Sequence, residues 1–206
     1  MLRVSTTTLE SFRRVLQSEY AVEQELIDQI AGKPFEPTWQ MRAGSTWQAA
    51  LCGEYSTREF WFDSKMLGEA RAYVGSGLCE VKSTKILDVH GSPVALVAQV
   101  DHVRGLALQE NKAKFGTPDA RDYEPSLQWR AYLLVHDAAS VQYNLWNFKD
   151  PKCGYCELRS VDSFRFWRYA ELEADCRRWL RAFLDWANAR KLTPYLDRET
   201  PALEAA

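Results

Sequence analysis

The stretch from 79 to 113 constrains the fold more than any other part of the chain. It is rich in Val, Leu and Ile and is interrupted only at His90-Gly91-Ser92 and at Arg104-Gly105. Apolar, partly β-branched runs bounded by turn residues predict three successive antiparallel strands, a meander that must be covered by apolar surface from elsewhere. The flanks read mostly as helix. Ser5, Thr6 or Thr7 can cap a first helix to about Gln17, with Leu9, Phe12 and Leu16 at helical spacing. Val22, Leu26 and Ile30 carry a second to a natural stop at Gly32. Lys33 to Met41, with Pro34 and Pro37, reads as a loop, Gly44 to about Cys52 as a third helix, and Ser64 to about Val74 as a fourth. Beyond the meander come a loop from Gly116 to Pro125, a helix over 126–137, strands near 141–148 and 156–167, and a long helix from about Tyr169 to Arg190. Its apolar stripe is Leu172, Cys176, Trp179, Leu180, Phe183 and Ala187. The order ααααβββαββα predicts an α+β fold. The first few residues and a C-terminal tail, 193–206, read as loose ends, so 1–192 is expected to form a single domain.

Composition narrows the function. Hydrophobic residues at 46% exclude disorder, and no apolar run approaches the roughly 20 residues a bilayer requires, so no membrane association is expected. Met1 to Ser5 lacks the pattern of a secretory leader, which makes the cytoplasm the expected location. A net charge of −2 means that any nucleic acid must be held by a local basic patch rather than by the summed field. Cys52, Cys79, Cys153, Cys156 and Cys176 are an odd set, expected as reduced thiols. Only Cys153 and Cys156 are close in sequence; Cys52 and Cys79 are isolated and Cys176 lies in the last helix stripe, so a turn pair is expected there rather than a four-thiolate cluster. His90, His102 and His136 suggest no catalytic triad, and there is no Gly-x-x-x-x-Gly-Lys loop for ATP.

Chemistry concentrates in Val100-Asp101-His102-Val103 and Leu108-Gln109-Glu110-Asn111-Lys112. Side chains alternate along a strand, so Glu110 and Lys112 share a side and Asn111 points away. With Arg104-Gly105 as a two-residue turn, Val103 faces Leu106 and Asp101 faces Leu108. Glu110 is then the diagonal neighbour of Asp101, roughly 7 to 8 Å away at Cα. A three-residue loop would put Glu110 on the opposite face. Two carboxylates on an apolar hairpin repel unless a cation neutralises them, and oxygen ligands favour Mg²⁺ or Mn²⁺. An adjacent ammonium adds stabilisation of developing charge, the combination needed for phosphodiester hydrolysis. The same residues would also serve as solvated charge on a strand surface. On the following helix Gln128 and Tyr132, one turn apart, form a polar-tipped stripe beside Leu127, Ala131 and Leu134. Lys112, Lys114, Arg121 and Arg130, joined by Lys82 and Lys85, are the cations available to grip DNA. Trp39 and Trp47 are expected in the core rather than stacked on bases.

An acidic residue on one strand, Glu-x-Lys on the next, and then Tyr123-Glu124-Pro125-Ser126-Leu127-Gln128-Trp129-Arg130-Ala131-Tyr132-Leu133 resembles the PD-(D/E)XK nuclease superfamily, in its bacteriophage and bacterial recombination exonuclease (RecB-like) branch. Val4-Ser5-Thr6-Thr7-Thr8-Leu9-Glu10-Ser11-Phe12 and Met41-Arg42-Ala43-Gly44-Ser45-Thr46-Trp47-Gln48 resemble the same branch, so the likeness covers most of 4–135 in the family's order. It implies a restriction-endonuclease-like core, a mixed central β-sheet flanked by helices. It also implies Mg²⁺- or Mn²⁺-dependent cleavage of DNA, usually from an end, in recombination, repair or phage replication inside a bacterial or phage-infected cell. On this resemblance Asp101, Glu110 and the main-chain carbonyl of Asn111 are metal ligands, Lys112 is the catalytic lysine, and Gln128 and Tyr132 contact substrate or support the site. A homo-oligomer or a single-strand-annealing recombination partner is compatible with it. Two departures stand out: Gln48 occupies the place of a His that is a further ligand in many relatives, and Ala113, not Ser or Thr, follows the lysine. Gln48 can still bind an ion directly or through water, with lower affinity. Alternatives are a cleavage-impaired DNA-binding subunit of the same fold and, on Cys153 and Cys156 alone, an iron–sulfur CRISPR-associated exonuclease.

Overall fold

The computed structural model describes residues 1–17, 22–54, 59–117, 119–151 and 153–197. The expected meander is present as β2 (Leu78–Val89), β3 (Ser92–Arg104) and β4 (Ala107–Lys114). Two later strands, β5 (Ser140–Phe148) and β6 (Leu158–Trp167), complete one side of the sheet. The N-terminal residues expected to be loose form a further strand, β1 (Leu2–Ser5), paired in parallel with Val94 to Val97 of β3. Four residues with no neighbouring turn carry no strand signal of their own; their partner lies some ninety positions away, and only folding brings it near.

The resulting six-stranded sheet runs β1-β3-β4-β5-β6, with β2 on the remaining edge of β3. Because β2 follows β3 along nearly its whole length, β1 and β4 must share the other edge. β1 takes Val94 to Val97 and β4 takes His102 to Arg104, leaving 98–101 between them. Beyond Gln109, β4 leaves β3 and continues in parallel with β5, from Ala107↔Ser140 to Lys114↔Asn147. A parallel pair needs a crossover, which helix α5 (Leu127–Val135) supplies. The sheet therefore splits beside Asp101.

Helices cover both faces. On one, α1 (Thr6–Gln17), α5 and α6 (Leu172–Ala189) pack over Leu96, Ala98, Val100, Leu108, Val141, Tyr143 and Leu145. On the other, α3 (Trp39–Cys52) and α4 (Ser64–Val74) enclose Trp146 and Phe148, the alternate positions of β5. Trp47 sits at the centre of this second core, fully buried against Phe62, Trp146 and Phe148. Trp39 packs on Phe115. Helix α2 (Glu23–Ala31) ends where Gly32 takes a left-handed conformation, φ 71°, as the sequence indicates. α3 begins five residues before the expected Gly44, because Thr38 Oγ1 accepts from Met41 N and caps it there. Thr193–Asp197, placed in the tail, is a short 3₁₀ turn with Leu196 buried and Asp197 paired to the N-terminal ammonium. The remainder of the tail lies outside the described residues. Among the described residues, no helix is long and apolar enough to cross a membrane.

One buried ion pair connects α1 to the site. Glu10, only 6% exposed, accepts from Arg13 at 2.7 and 3.1 Å, from Ser126 Oγ at 3.0 Å and from the Leu127 amide at 2.7 Å. It therefore caps the N-terminus of α5 from a different helix, where a negative charge meets the orphan amides and the positive end of the dipole. Burial opposes its ionisation, but Arg13, the Leu127 amide and Arg14 outweigh that and hold its carboxyl below the usual range. Its contribution to stability is thus present above the ordinary glutamate pKa and lost as pH falls through the depressed one. Glu10→Ala is expected to cost about 3 to 5 kcal/mol, the cost of leaving a buried charge unpaired, read as a lower urea midpoint. A loss under about 1 kcal/mol would show that the pair is not needed to seat α5.

Candidate active site

The hairpin that joins β3 to β4 turns one residue later than the sequence suggested. Gly105 and Leu106 form the turn, so Arg104 pairs with Ala107, Val103 with Leu108 and His102 with Gln109. Gly105 has φ 59°, the positive value that a type II′ hairpin requires at its first central position. Counted on from this register, Asp101 lies opposite Glu110 itself rather than diagonal to it. The predicted pairing was wrong by two residues, an even number, and so Asp101 and Glu110 still share a face.

A second irregularity is needed for that. Val94, Leu96, Ala98 and Val100 all enter the core under α5, which by strict alternation would send Asp101 to the far face. The alternation reverses between Val100 and His102: His102 turns toward Cys52 on α3, and Val103 returns to the first core. The ladder between β2 and β3 omits one pair at this point, Glu80 with Asp101, and Glu80 is held at φ 51°. A left-handed non-glycine residue inside a strand stores local strain, and here it re-aims Asp101 at the split in the sheet.

Glu110 is 1% exposed, and Lys112 Nζ lies 2.5 Å from its Oε2. The Tyr132 hydroxyl, also buried, is directed at the same carboxylate. Neither Glu110 oxygen nevertheless has a donor in well-aligned hydrogen-bond geometry among the described residues, so the contact with Lys112 is ionic. Asp101 Oδ2 accepts from the Asn111 amide at 2.6 Å, which satisfies the backbone group freed where β4 departs. Burial, reinforced by the nearby Glu110 charge, raises the Asp101 pKa well above the usual range. Burial acts against the Lys112 ammonium, but Glu110 and Asp101 more than offset it, and its pKa is raised. Burial and then Glu110 push the Tyr132 phenol upward as well, and the same two causes act on Tyr143, which flanks Glu110 on β5. An anion this desolvated, with unfilled acceptor positions beside a second carboxylate, fits a divalent cation.

Folded Asp101 binds its proton more tightly than the unfolded chain does. Between the ordinary aspartate pKa and the raised one the folded state holds more protons, so stability falls as pH rises. In chelator, the melting temperature is expected to drop as pH climbs above the ordinary aspartate range, and Asp101→Asn to flatten that drop. An unchanged slope in the variant would take Asp101 out of the buried pair.

The remaining expected residues divide. Gln48, on α3, reaches Asp101 from the far side: its Nε2 donates to the Asp101 carbonyl at 3.4 Å, and its buried Oε1 has no partner. Asn111 turns its side chain away from Glu110, into a buried network with His102, Asn144 and Trp146. Lys114 follows Lys112 on the same face, over the ring of Tyr123 at 5.2 Å. Gln128 shares the Tyr132 stripe, half-buried in the first turn of α5. Tyr132 is 2% exposed, so of its two expected roles only support of Glu110 is open to it. Arg130 does not line the site: on the opposite side of α5 it donates to the carbonyls of Glu124 and Ser126 and stacks on Trp129 at 4.2 Å. Arg121 is exposed but chelated by Asp119. Cys156 is buried in the second core, Cys176 in the first and Cys153 is exposed, so these thiols do not converge.

Glu10 and Glu80 were not singled out by sequence reasoning, since neither is near Asp101 or Glu110 in a recognisable spacing.

No protein-family model matches the chain, and no curated protein does. The architecture is an α+β core, with a mixed sheet between two helical layers and the acidic pair at its split. Solved structures that share this fold include a phage-related exonuclease from Haemophilus somnus 129PT, 14% identical with a TM-score of 0.52, matched over 95% of this chain and 94% of that one. LHK-Exo from Laribacter hongkongensis, solved in complex with dAMP, is 13% identical with a TM-score of 0.51, over 91% and 88%. SSO0001 is 16% identical with a TM-score of 0.52, over 92% and 78%.

Proposed function

We propose that the chain is a Mg²⁺- or Mn²⁺-dependent deoxyribonuclease that degrades DNA from an end, as in recombination, repair or phage replication. The observation that carries this reading is the buried Glu110 carboxylate without an aligned donor, set beside Asp101 and the Lys112 ammonium. Asp101, Glu110 and the Asn111 main-chain carbonyl would hold the ion. A bound ion would polarise a phosphoryl oxygen and acidify a coordinated water. Lys112 stays protonated at neutral pH and so acts as a donor, neutralising charge that develops on the phosphate, rather than as a base. Tyr132 fixes the rotamer of Glu110, and Gln128 and Lys114 border the same face for contact with the strand. The fold shared with exonucleases, one of them solved with a deoxynucleotide, supports DNA as substrate.

End-labelled linear and closed circular DNA, each with Mn²⁺ or with chelator, test the proposal. Loss of linear DNA alone, and only with the ion, is expected. Cutting of circles would make the enzyme an endonuclease. Binding without cleavage under any ion would favour the cleavage-impaired subunit.

A further inference from the structure

Behind Asp101, on the other face of the sheet, two thiols and an imidazole converge. Cys52 ends α3, Cys79 opens β2 and His102 follows Asp101 on β3. Cys79 Sγ lies 3.1 Å and Cys52 Sγ 3.9 Å from His102 Nε2, and the three atoms are all within 4.8 Å of one another. No other three His, Cys, Asp or Glu side chains among the described residues approach in this way. Tetrahedral zinc with bonds of about 2.0 to 2.3 Å separates its donors by roughly 3.3 to 3.8 Å, and the observed spacings straddle that range. Gln48, one turn before Cys52, sends its Nε2 to Cys52 Sγ at 3.5 Å, while its Oε1 is buried without a partner.

We propose that Cys52, Cys79 and His102 form a site for Zn²⁺ or another thiophilic divalent ion, with Gln48 as the fourth donor once its amide is turned over to bring Oε1 where Nε2 now lies. Thiolate and imidazole donors select such ions, whereas the carboxylates in front of the strand select Mg²⁺ or Mn²⁺, so the two faces sort their metals by ligand softness. Loading releases the two thiol protons to solvent, because only thiolates ligate.

The surrounding network sets what else must move. Trp146 Nε1, which can only donate, and Asn144 Nδ2 both give to Asn111 Oδ1, so Asn111 presents its Nδ2 to His102 Nδ1 at 3.2 Å. The ring proton then sits on Nε2, directed at Cys79 Sγ. An ion at Nε2 requires that proton on Nδ1, so loading turns over the Asn111 amide, which gains a bond from His102 and gives up those from Trp146 and Asn144. Asn111 is also the residue whose main-chain amide bonds Asp101. The ion would thus join α3, β2, β3 and, through Asn111, β4 at the point where the sheet splits. It stiffens the support of the carboxylates without touching them.

The test is a Co²⁺ titration of the reduced, chelator-treated full chain, followed by addition of Zn²⁺ and, separately, of Mg²⁺. One equivalent of Co²⁺ is expected to produce thiolate-to-cobalt charge-transfer absorption and the intense visible bands of a tetrahedral ion. Zn²⁺ should bleach both, and Mg²⁺ neither. Cys52→Ser and Cys79→Ser should each lose the tetrahedral spectrum, while Cys153→Ser and Cys156→Ser keep it. Glu110→Gln should keep it too, so failure here and failure of the nuclease reading are separable. A folded parent protein with no thiolate band overturns the proposal, as does a band that survives in the Cys52→Ser, Cys79→Ser double variant.

Discussion

Lys112→Ala is expected to slow DNA cleavage by about 10²- to 10³-fold, the usual loss when one preorganised donor to a developing oxyanion is removed. Lys112 sits 2.5 Å from Glu110 with its side chain 31% exposed, buried enough to be oriented and open enough to meet a phosphate. Affinity for DNA should change little, because one inner cation is a small part of a backbone grip that also uses Lys114. The same substitution leaves the Glu110 charge without its counter-ion, so in chelator the variant should also lose about 1 to 3 kcal/mol of stability. Lys112→Arg separates the two effects. It restores charge, and with it stability, but its planar fork cannot reproduce a point donor at this distance, so the rate should remain low. Single-turnover cleavage of end-labelled duplex, with anisotropy for binding, decides the matter: parent-like rates in Lys112→Ala would remove the residue from the reaction.

Glu110→Gln is expected to act with opposite signs on two measurements. Replacing a carboxylate ligand by a neutral amide should weaken Mg²⁺ or Mn²⁺ binding by roughly two orders of magnitude, about 2.7 kcal/mol, seen by calorimetry, with a matching fall in rate. In chelator, however, the substitution removes a buried charge that lacks an aligned donor and lies against a second carboxylate. The Lys112 ammonium left behind is 31% exposed and still faces Asp101, so it stays solvated and partnered, and the melting temperature there should hold or rise. A merely structural glutamate would lower stability with and without the ion. If the variant melts lower in chelator and binds Mn²⁺ as the parent does, Glu110 is holding the fold rather than a metal.

Much of this was legible along the chain because it depends on local rules. The meander followed from composition and two turns, α1 from capping and periodicity, α6 from its apolar stripe, and the shared side of Glu110 and Lys112 from strand alternation. Where local rules compete, the reading slipped. Arg104-Gly105 and Gly105-Leu106 are both plausible turns in sequence, and the positive φ at Gly105 selected the second. Arg130 looked like a free cation because helix spacing does not reveal that carbonyls of the preceding loop and the face of Trp129 will take its guanidinium. His102 was set aside and Cys52 and Cys79 were treated as isolated, although the fold brings all three together.

The sequence by itself determined the main helices and the five later strands, the side of β4 that carries Glu110 and Lys112, and the chemistry those groups can perform, because each rests on bonds and periodicities spanning a few residues. Only the tertiary structure decided that Asp101 joins them. That required β1 and β4 to divide one edge of β3, a left-handed Glu80 across the strand pair to reverse the alternation, and Glu10 to seat α5 from a different helix. These are contacts between residues far apart in the chain, whose energies appear only once the sheet has closed around them.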